Sequence, residues 1–238
     1  MRYLVVTKKH LAWVLGAGVA TTLVGWLLFA GFTIKTIACQ KDEGECNEQV
    51  EAELKQLMGS SLLTFRSERL VVKLTSADPA IEKIEVTTRF PNQLLVHIRS
   101  RQPEVMLKTT QSSKALIADA QGMVYKVADP EDGWLPLIVS DALAGETIGK
   151  KITDPPLLAA IKLATTLKEH FIAFREIRIQ NASLLVSVTK QTVAVFSHER
   201  DIEKQVSSLQ LILSQVTIGS EPITIDVRFK KPVLRIIE

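Results

Sequence analysis

The sequence predicts an α+β protein carried behind a single N-terminal transmembrane helix. Three observations lead there: one long uncharged apolar run near the start, two alternating strands around a Pro-Asn turn, and two amphipathic helical stripes among later strands. The apolar run is LAWVLGAGVATTLVGWLLFAGF, Leu11 to Phe32, with Thr21 and Thr22 as its only polar side chains. At about 1.5 Å per residue it reaches roughly 33 Å, enough to cross a hydrocarbon core of about 30 Å. Backbone amides in lipid must be satisfied internally, so the run is expected to be helical, with the two threonine hydroxyls bonding back to it. Trp13 and Trp26 lie toward its two ends, where indoles favour the interface.

The flanks orient it. Arg2, Lys8 and Lys9 precede the run without any acid, whereas Lys35 and Lys41 follow it together with Asp42, Glu43, Glu45 and Glu48. Positive charge stays inside, which predicts a cytoplasmic tail over residues 1–10, a membrane helix over 11–32 and an extracytoplasmic remainder. The alternatives are a cleaved signal peptide and, through Thr36-Ile37-Ala38-Cys39, a lipoprotein. The run is longer than a usual signal core, and no A-x-A site ends it.

The 238 residues leave about 200 beyond the membrane, room for one large or two small domains. A net charge of +3, with no nucleic-acid motif, gives no reason to expect a nucleic-acid partner. Cys39 and Cys46 are the only cysteines, with no histidine beside them, too few ligands for structural zinc. Outside the cytoplasm they are expected to form a structural disulfide closing a short loop. A redox switch is the alternative, but the neighbouring acids oppose a reactive thiolate.

Beyond the anchor, Phe32, Ile34 and Ile37 make a short β-prone run. Asn47 is placed to cap a helix with Val50, Leu54 and Leu57 on one face and Gly59 as its stop. Ser67 is placed to cap a second helix bearing Leu70, Val71 and Leu74, which must end before Pro79. Ile84 and Val86 then alternate with charged residues, Phe90-Pro91-Asn92 makes a turn, and Leu94, Val96 and Ile98 alternate again. The predicted order is β-α-α-β-β.

Asp119 and Gly122 suit a strand-turn-strand in Leu116–Val124. Pro155 and Pro156 start a helix with Leu157, Ile161, Ala164, Leu167 and Phe171 as its stripe. Strands follow at Ile177 and Ile179, at Leu184, Val186 and Val188, and at Val193 and Val195. A second helix carries Ile202, Val206, Leu209, Leu213 and Val216. Ile223, Ile225, Val227 and Phe229 alternate in an expected final strand. Asn181-Ala182-Ser183 reads as a turn, and Glu199-Arg200-Asp201 with Glu203-Lys204 as a solvated helix start.

Catalytic signatures are missing. His10, His97, His170 and His198 stand singly, and there is no Gly-x-Ser-x-Gly elbow or complete dinucleotide fingerprint. The chain is expected not to be an enzyme and to need no cofactor, metal or small-molecule substrate; an anchored serine hydrolase is the alternative.

These boxes, in this order behind one anchor, resemble the FtsQ/DivIB cell-division family. Pro79-Ala80-Ile81, Ile84-Glu85-Val86, Arg89-Phe90-Pro91 and Arg101-Gln102-Pro103 are similar to its POTRA domain. Asp119-Ala120-Gln121-Gly122, Leu135-Pro136 and Ile225-Asp226-Val227-Arg228-Phe229 are similar to its second domain. Two departures are Ser100, where the family has Glu, and the Cys39–Cys46 loop. The resemblance implies a POTRA domain over 33–104 and a mostly antiparallel β domain with two helices over 105–238. It implies a bitopic scaffold of the bacterial septation machinery in the cell membrane, binding FtsB/DivIC-like and FtsL-like bitopic proteins. Its implied partner site is Thr224, Asp226, Arg228 and Phe229, continuing to Val233 and Leu234. Another POTRA-bearing envelope assembly or secretion factor is the alternative; the chain shows no pattern of a membrane barrel.

Overall fold

The computed structural model describes residues 18, 22, 25, 26, 31–42, 44–112, 114–143, 147–181, 183–215 and 222–236. The tail at 1–10 and most of the expected membrane helix at 11–32 lie outside the described residues, as does Val216. Among those described, no helix is long and apolar enough to cross a membrane. The Thr22 hydroxyl donates to the Gly18 carbonyl at 3.0 Å, the back-bond expected of a threonine in an apolar helix. The chain divides into two compact units, Met1–Ser100 and Arg101–Glu238.

In the first unit the order is β1 (Thr36–Lys41), α1 (Glu48–Lys55), α2 (Ser67–Ala77), β2 (Ile81–Arg89) and β3 (Gln93–Ser100). The sheet runs β1-β3-β2, with β1 parallel and β2 antiparallel to the central β3. Leu94, Val96 and Ile98 of β3 face the buried side and meet Leu54 and Leu74 of the helices. Ile81 and Ile84 are three apart yet both buried, because a bulge shifts the register between Ile81 and Lys83. Asn47 caps α1 as expected, accepting from the Val50 amide at 2.8 Å, and its own amide donates to Asp78 just past α2. Ser67 is the first residue of α2, not its cap; Arg66 holds that place without a side-chain bond.

Cys39 on β1 is bonded to Cys46, which directly precedes the cap of α1. The bridge staples an edge strand to a helix start across a separation of seven residues. A loop of that length contributes about 2 kcal/mol in the chain-entropy account. Cys39→Ala with Cys46→Ala should therefore weaken the first unit by about that amount in urea unfolding. Equal midpoints for the oxidised and cysteine-free chains would show that the bridge contributes nothing.

The second unit is a nine-stranded mixed sheet with two helices. Its strands are β4 (Val105–Lys108), β5 (Ala115–Ala118), β6 (Val124–Val127), β7 (Leu137–Val139), β8 (Glu176–Gln180), β9 (Ser183–Ser187), β10 (Thr192–Ser197), β11 (Ile223–Asp226) and β12 (Val233–Ile236). Helix α3 (Pro155–Glu169) lies between β7 and β8, and α4 (Ile202–Gln215) between β10 and β11. The spatial order is β12-β11-β10-β9-β8-β7-β4-β5-β6. Each helix returns the chain to the same end of the sheet, so β7–β8 and β10–β11 are parallel, as is β4–β7. The other pairings are antiparallel.

Both helices share one core with the sheet, centred on Leu157, Leu163, Phe196 and Leu209. Asp154 caps α3, with Pro155 and Pro156 in its first turn. Asp119 is buried and accepts from the Gln121 and Met123 amides and from Arg101 at 2.6 Å, while Gly122 takes φ +78° in the turn it holds.

Phe171 departs from its expected place on the α3 stripe. The helix stops at Glu169, Phe171 adopts φ +56° at 95% exposure, and buried Ile172 closes the end by donating to the Leu167 carbonyl at 2.9 Å. An L-residue pays about 1 kcal/mol for that backbone region, so Phe171→Gly should stabilise the second unit by roughly 1 kcal/mol. Thermal melts of the two proteins check this; an unchanged or lower midpoint would refute it.

Candidate partner-binding edge

A nine-stranded open sheet has two edges, and here they differ. Outside β6 runs the segment 149–152: the Val124 amide donates to the Lys150 carbonyl, Gly149 donates to Val124, and Met123 bridges Lys151. That edge is covered where β6 begins, over Gly122–Val124. At the other end, among the described residues, β12 pairs with β11 alone, and all four of its residues are exposed. Val233 is 41%, Leu234 47% and Ile236 62% exposed. Edge strands are usually blunted by charge, bulge or cover, and β12 carries one charge, Arg235. Leu234 lies opposite Ile225 and Ile236 opposite Ile223, so the outer row continues the helix-covered core to the open rim.

The six residues anticipated from sequence fall into three settings. Thr224 and Asp226 sit on β11, which is flanked by β10 and β12, so neither offers backbone to a new strand. The strand ends at Asp226 instead of running to Phe229. Val227 remains buried, its amide donating to the Val195 carbonyl at 3.0 Å, and the chain turns through 228–232 before returning as β12. Arg228 and Phe229 lie on that turn. Val233 and Leu234 occupy the open edge itself.

Asp226 is a buried anchor and not part of a solvated strand face. Its oxygens accept from Arg228 at 2.9 Å (Nε to Oδ1) and 2.6 Å (Nη2 to Oδ2), and the Arg228 amide adds a third bond at 3.1 Å. The fork-to-fork bonds from Arg228 hold the Asp226 carboxyl below its ordinary pKa, against the opposing effect of burial. Arg228 also donates to Ser183 on β9 and stacks over Phe229, 5.6 Å from the ring centroid. One buried carboxylate thus fixes a cation and an exposed aromatic at the mouth of the edge.

Beside them opens a recess of about 390 Å³, floored by Val227 and walled by Phe229, Lys230, Arg200 and Lys204. Sequence reading assigned Arg200 and Lys204 to a solvated helix start. What brings them to Phe229 is the crossover of α4, whose first turn is tied to β10 by Gln205: its amide donates to the Ser197 carbonyl at 2.9 Å and its oxygen accepts from the Ser197 amide at 2.8 Å. Residues so far apart in the chain carry no local signal of that meeting. Three cations against the single acid Asp201 make the recess basic. Among the described residues no group of histidine, cysteine or carboxylate side chains is arranged to hold a metal ion.

Residues 32–101, which hold the β-α-α-β-β unit, match the family described as "POTRA domain, FtsQ-type". Over those residues the chain carries a POTRA domain, and the FtsQ type of the match supports the resemblance to the FtsQ/DivIB family. No curated protein matches the chain. A domain of this type is consistent with a division-associated protein that works through protein–protein contacts.

Proposed function

We propose that this protein is a bitopic membrane scaffold of the bacterial division machinery, anchored by residues 11–32 with its two units outside the cytoplasm. It links FtsB/DivIC-like and FtsL-like bitopic proteins during septum formation and catalyses nothing itself. The observation that carries the reading is the open β12 edge, apolar but for Arg235 and beside a basic recess, in a chain with an FtsQ-type POTRA domain. A partner segment adds to β12 as a further strand, its backbone satisfying the edge and its apolar side chains extending the row of Leu234 and Ile236. Acidic residues flanking that segment meet Arg200, Lys204 and Lys230.

The test is capture of FtsB/DivIC-like and FtsL-like ectodomains by the full chain in detergent micelles. Saturable binding that weakens with added salt is expected. Absence of binding to either ectodomain would sink the scaffold role as stated.

A further inference from the structure

The end of the POTRA unit nearest the apolar run has a composition unlike the opposite end. The run closes at Phe32, and there the backbone is already inside the fold: the Phe32 carbonyl accepts from the Leu62 amide at 2.7 Å, and Thr33 bridges Ser61. Ile34 donates to the Ser60 carbonyl and Lys35 to the Asn92 carbonyl, both at 2.8 Å. No linker separates the expected membrane exit from the loop after α1 or from the β2–β3 turn. On those two segments stand Phe90 at 63%, Leu63 at 56% and Met58 at 53% exposure, with the Phe90 ring edge-on to Phe32 at 5.6 Å.

Lys35, Arg66 and Arg89 are exposed on or beside the segments that carry these apolar side chains, with Glu68 as the acid in the first turn of α2. The other end, near the disulfide, is mixed: Asp42 pairs with His97 and Arg99 there, and Glu48 and Asp78 stand close by. Aromatic and aliphatic tips flanked by cations are what an interfacial lipid layer with anionic headgroups accommodates. Consecutive Cα atoms are about 3.8 Å apart, so a chain leaving a bilayer at Phe32 holds Leu62 and Phe90 at headgroup depth.

We propose that this end of the POTRA unit is a membrane-docking collar. Phe90, Leu63 and Met58 enter the interface of the leaflet from which the chain emerges, and Lys35, Arg66 and Arg89 meet its anionic headgroups. The collar fixes the unit's tilt and its height above the leaflet. This rests on the reading of residues 11–32 as a retained anchor.

The experiment uses the full chain in liposomes of phosphatidylethanolamine and phosphatidylglycerol, with Cys39 and Cys46 left oxidised. An environment-sensitive fluorophore is attached in turn at Trp26→Cys, Thr64→Cys and Glu82→Cys, and quenching by a lipid with a nitroxide near the headgroup is read. Quenching is expected at 26 and 64 and not at 82. Adding Phe90→Ser and Leu63→Ser, both at exposed positions, should cut quenching at 64 by roughly threefold and leave 26 unchanged. If 26 is quenched while 64 behaves like 82, the collar is wrong and the anchor stands. Quenching at 64 that ignores the serine substitutions would reflect the tether alone and also overturns the collar. Without quenching at 26, the anchor reading fails and takes the collar with it.

Discussion

Leu234→Glu combined with Ile236→Glu is expected to reduce capture of an FtsB/DivIC-like ectodomain by at least about tenfold while leaving the second unit folded. Both side chains are exposed, so their replacement removes little from the core, and β12 keeps its pairing with β11. What changes is the outer row: carboxylates would stand where a partner strand must bury apolar groups, which costs several kcal/mol unless they find partners. Phe229→Ala with Arg228→Glu alters the turn instead of the strand, and should weaken capture while reversing part of its salt dependence. Unchanged capture by the β12 variant, with circular dichroism confirming the fold, would move the site away from this edge. Val72→Glu, on an exposed face of α2 in the other unit, is the control and should bind as wild type.

Much of the fold was legible because its signals are local. The Phe90-Pro91-Asn92 turn between alternating runs, the Pro155-Pro156 helix start and the Asp119–Gly122 turn each depend on residues a few positions apart. The candidate site was legible only in part, because its geometry is set by long-range pairing. Val227 and Phe229 continue the alternation of Ile223 and Ile225, and nothing local says that the strand stops at Asp226 when its carboxylate takes up Arg228. Nor does a period-2 pattern tell which strand will be outermost; the short run after Pro232 takes the edge since β10 already occupies the other side of β11. Phe171 was misplaced for a similar reason. It fits the 3.6-residue stripe, but Ile172 is the better plug once the chain must turn back toward β8. The bulge between Ile81 and Lys83 likewise left no periodic trace.

Arg228→Ala should cost about 3 kcal/mol of stability near neutral pH, the low end for breaking a buried ion pair, since the guanidinium is itself partly solvated. The dependence on pH separates this from simple loss of packing. Asp226 is held below its ordinary pKa by Arg228, so the pair's contribution is fully present above the unfolded carboxylate value of about 4. It is lost as pH falls through the lowered folded value. In the Arg228→Ala protein the same carboxyl stays buried without its cation, and burial alone favours the neutral form. Protonation then relieves that variant while it destabilises the wild type. The stability gap should therefore be widest at pH 7 and close steadily in acid, starting above about 4 where the variant's buried carboxyl takes up its proton and continuing down to the wild type's lowered value. Asp226→Asn, which never ionises, should show an acid limb between those of the other two. Urea unfolding of the three proteins at several pH values reads this directly. A gap that stays constant from neutral to acid pH would mean that Arg228 acts through packing on Phe229 and Ser183, and that the carboxylate does not organise the mouth of the edge.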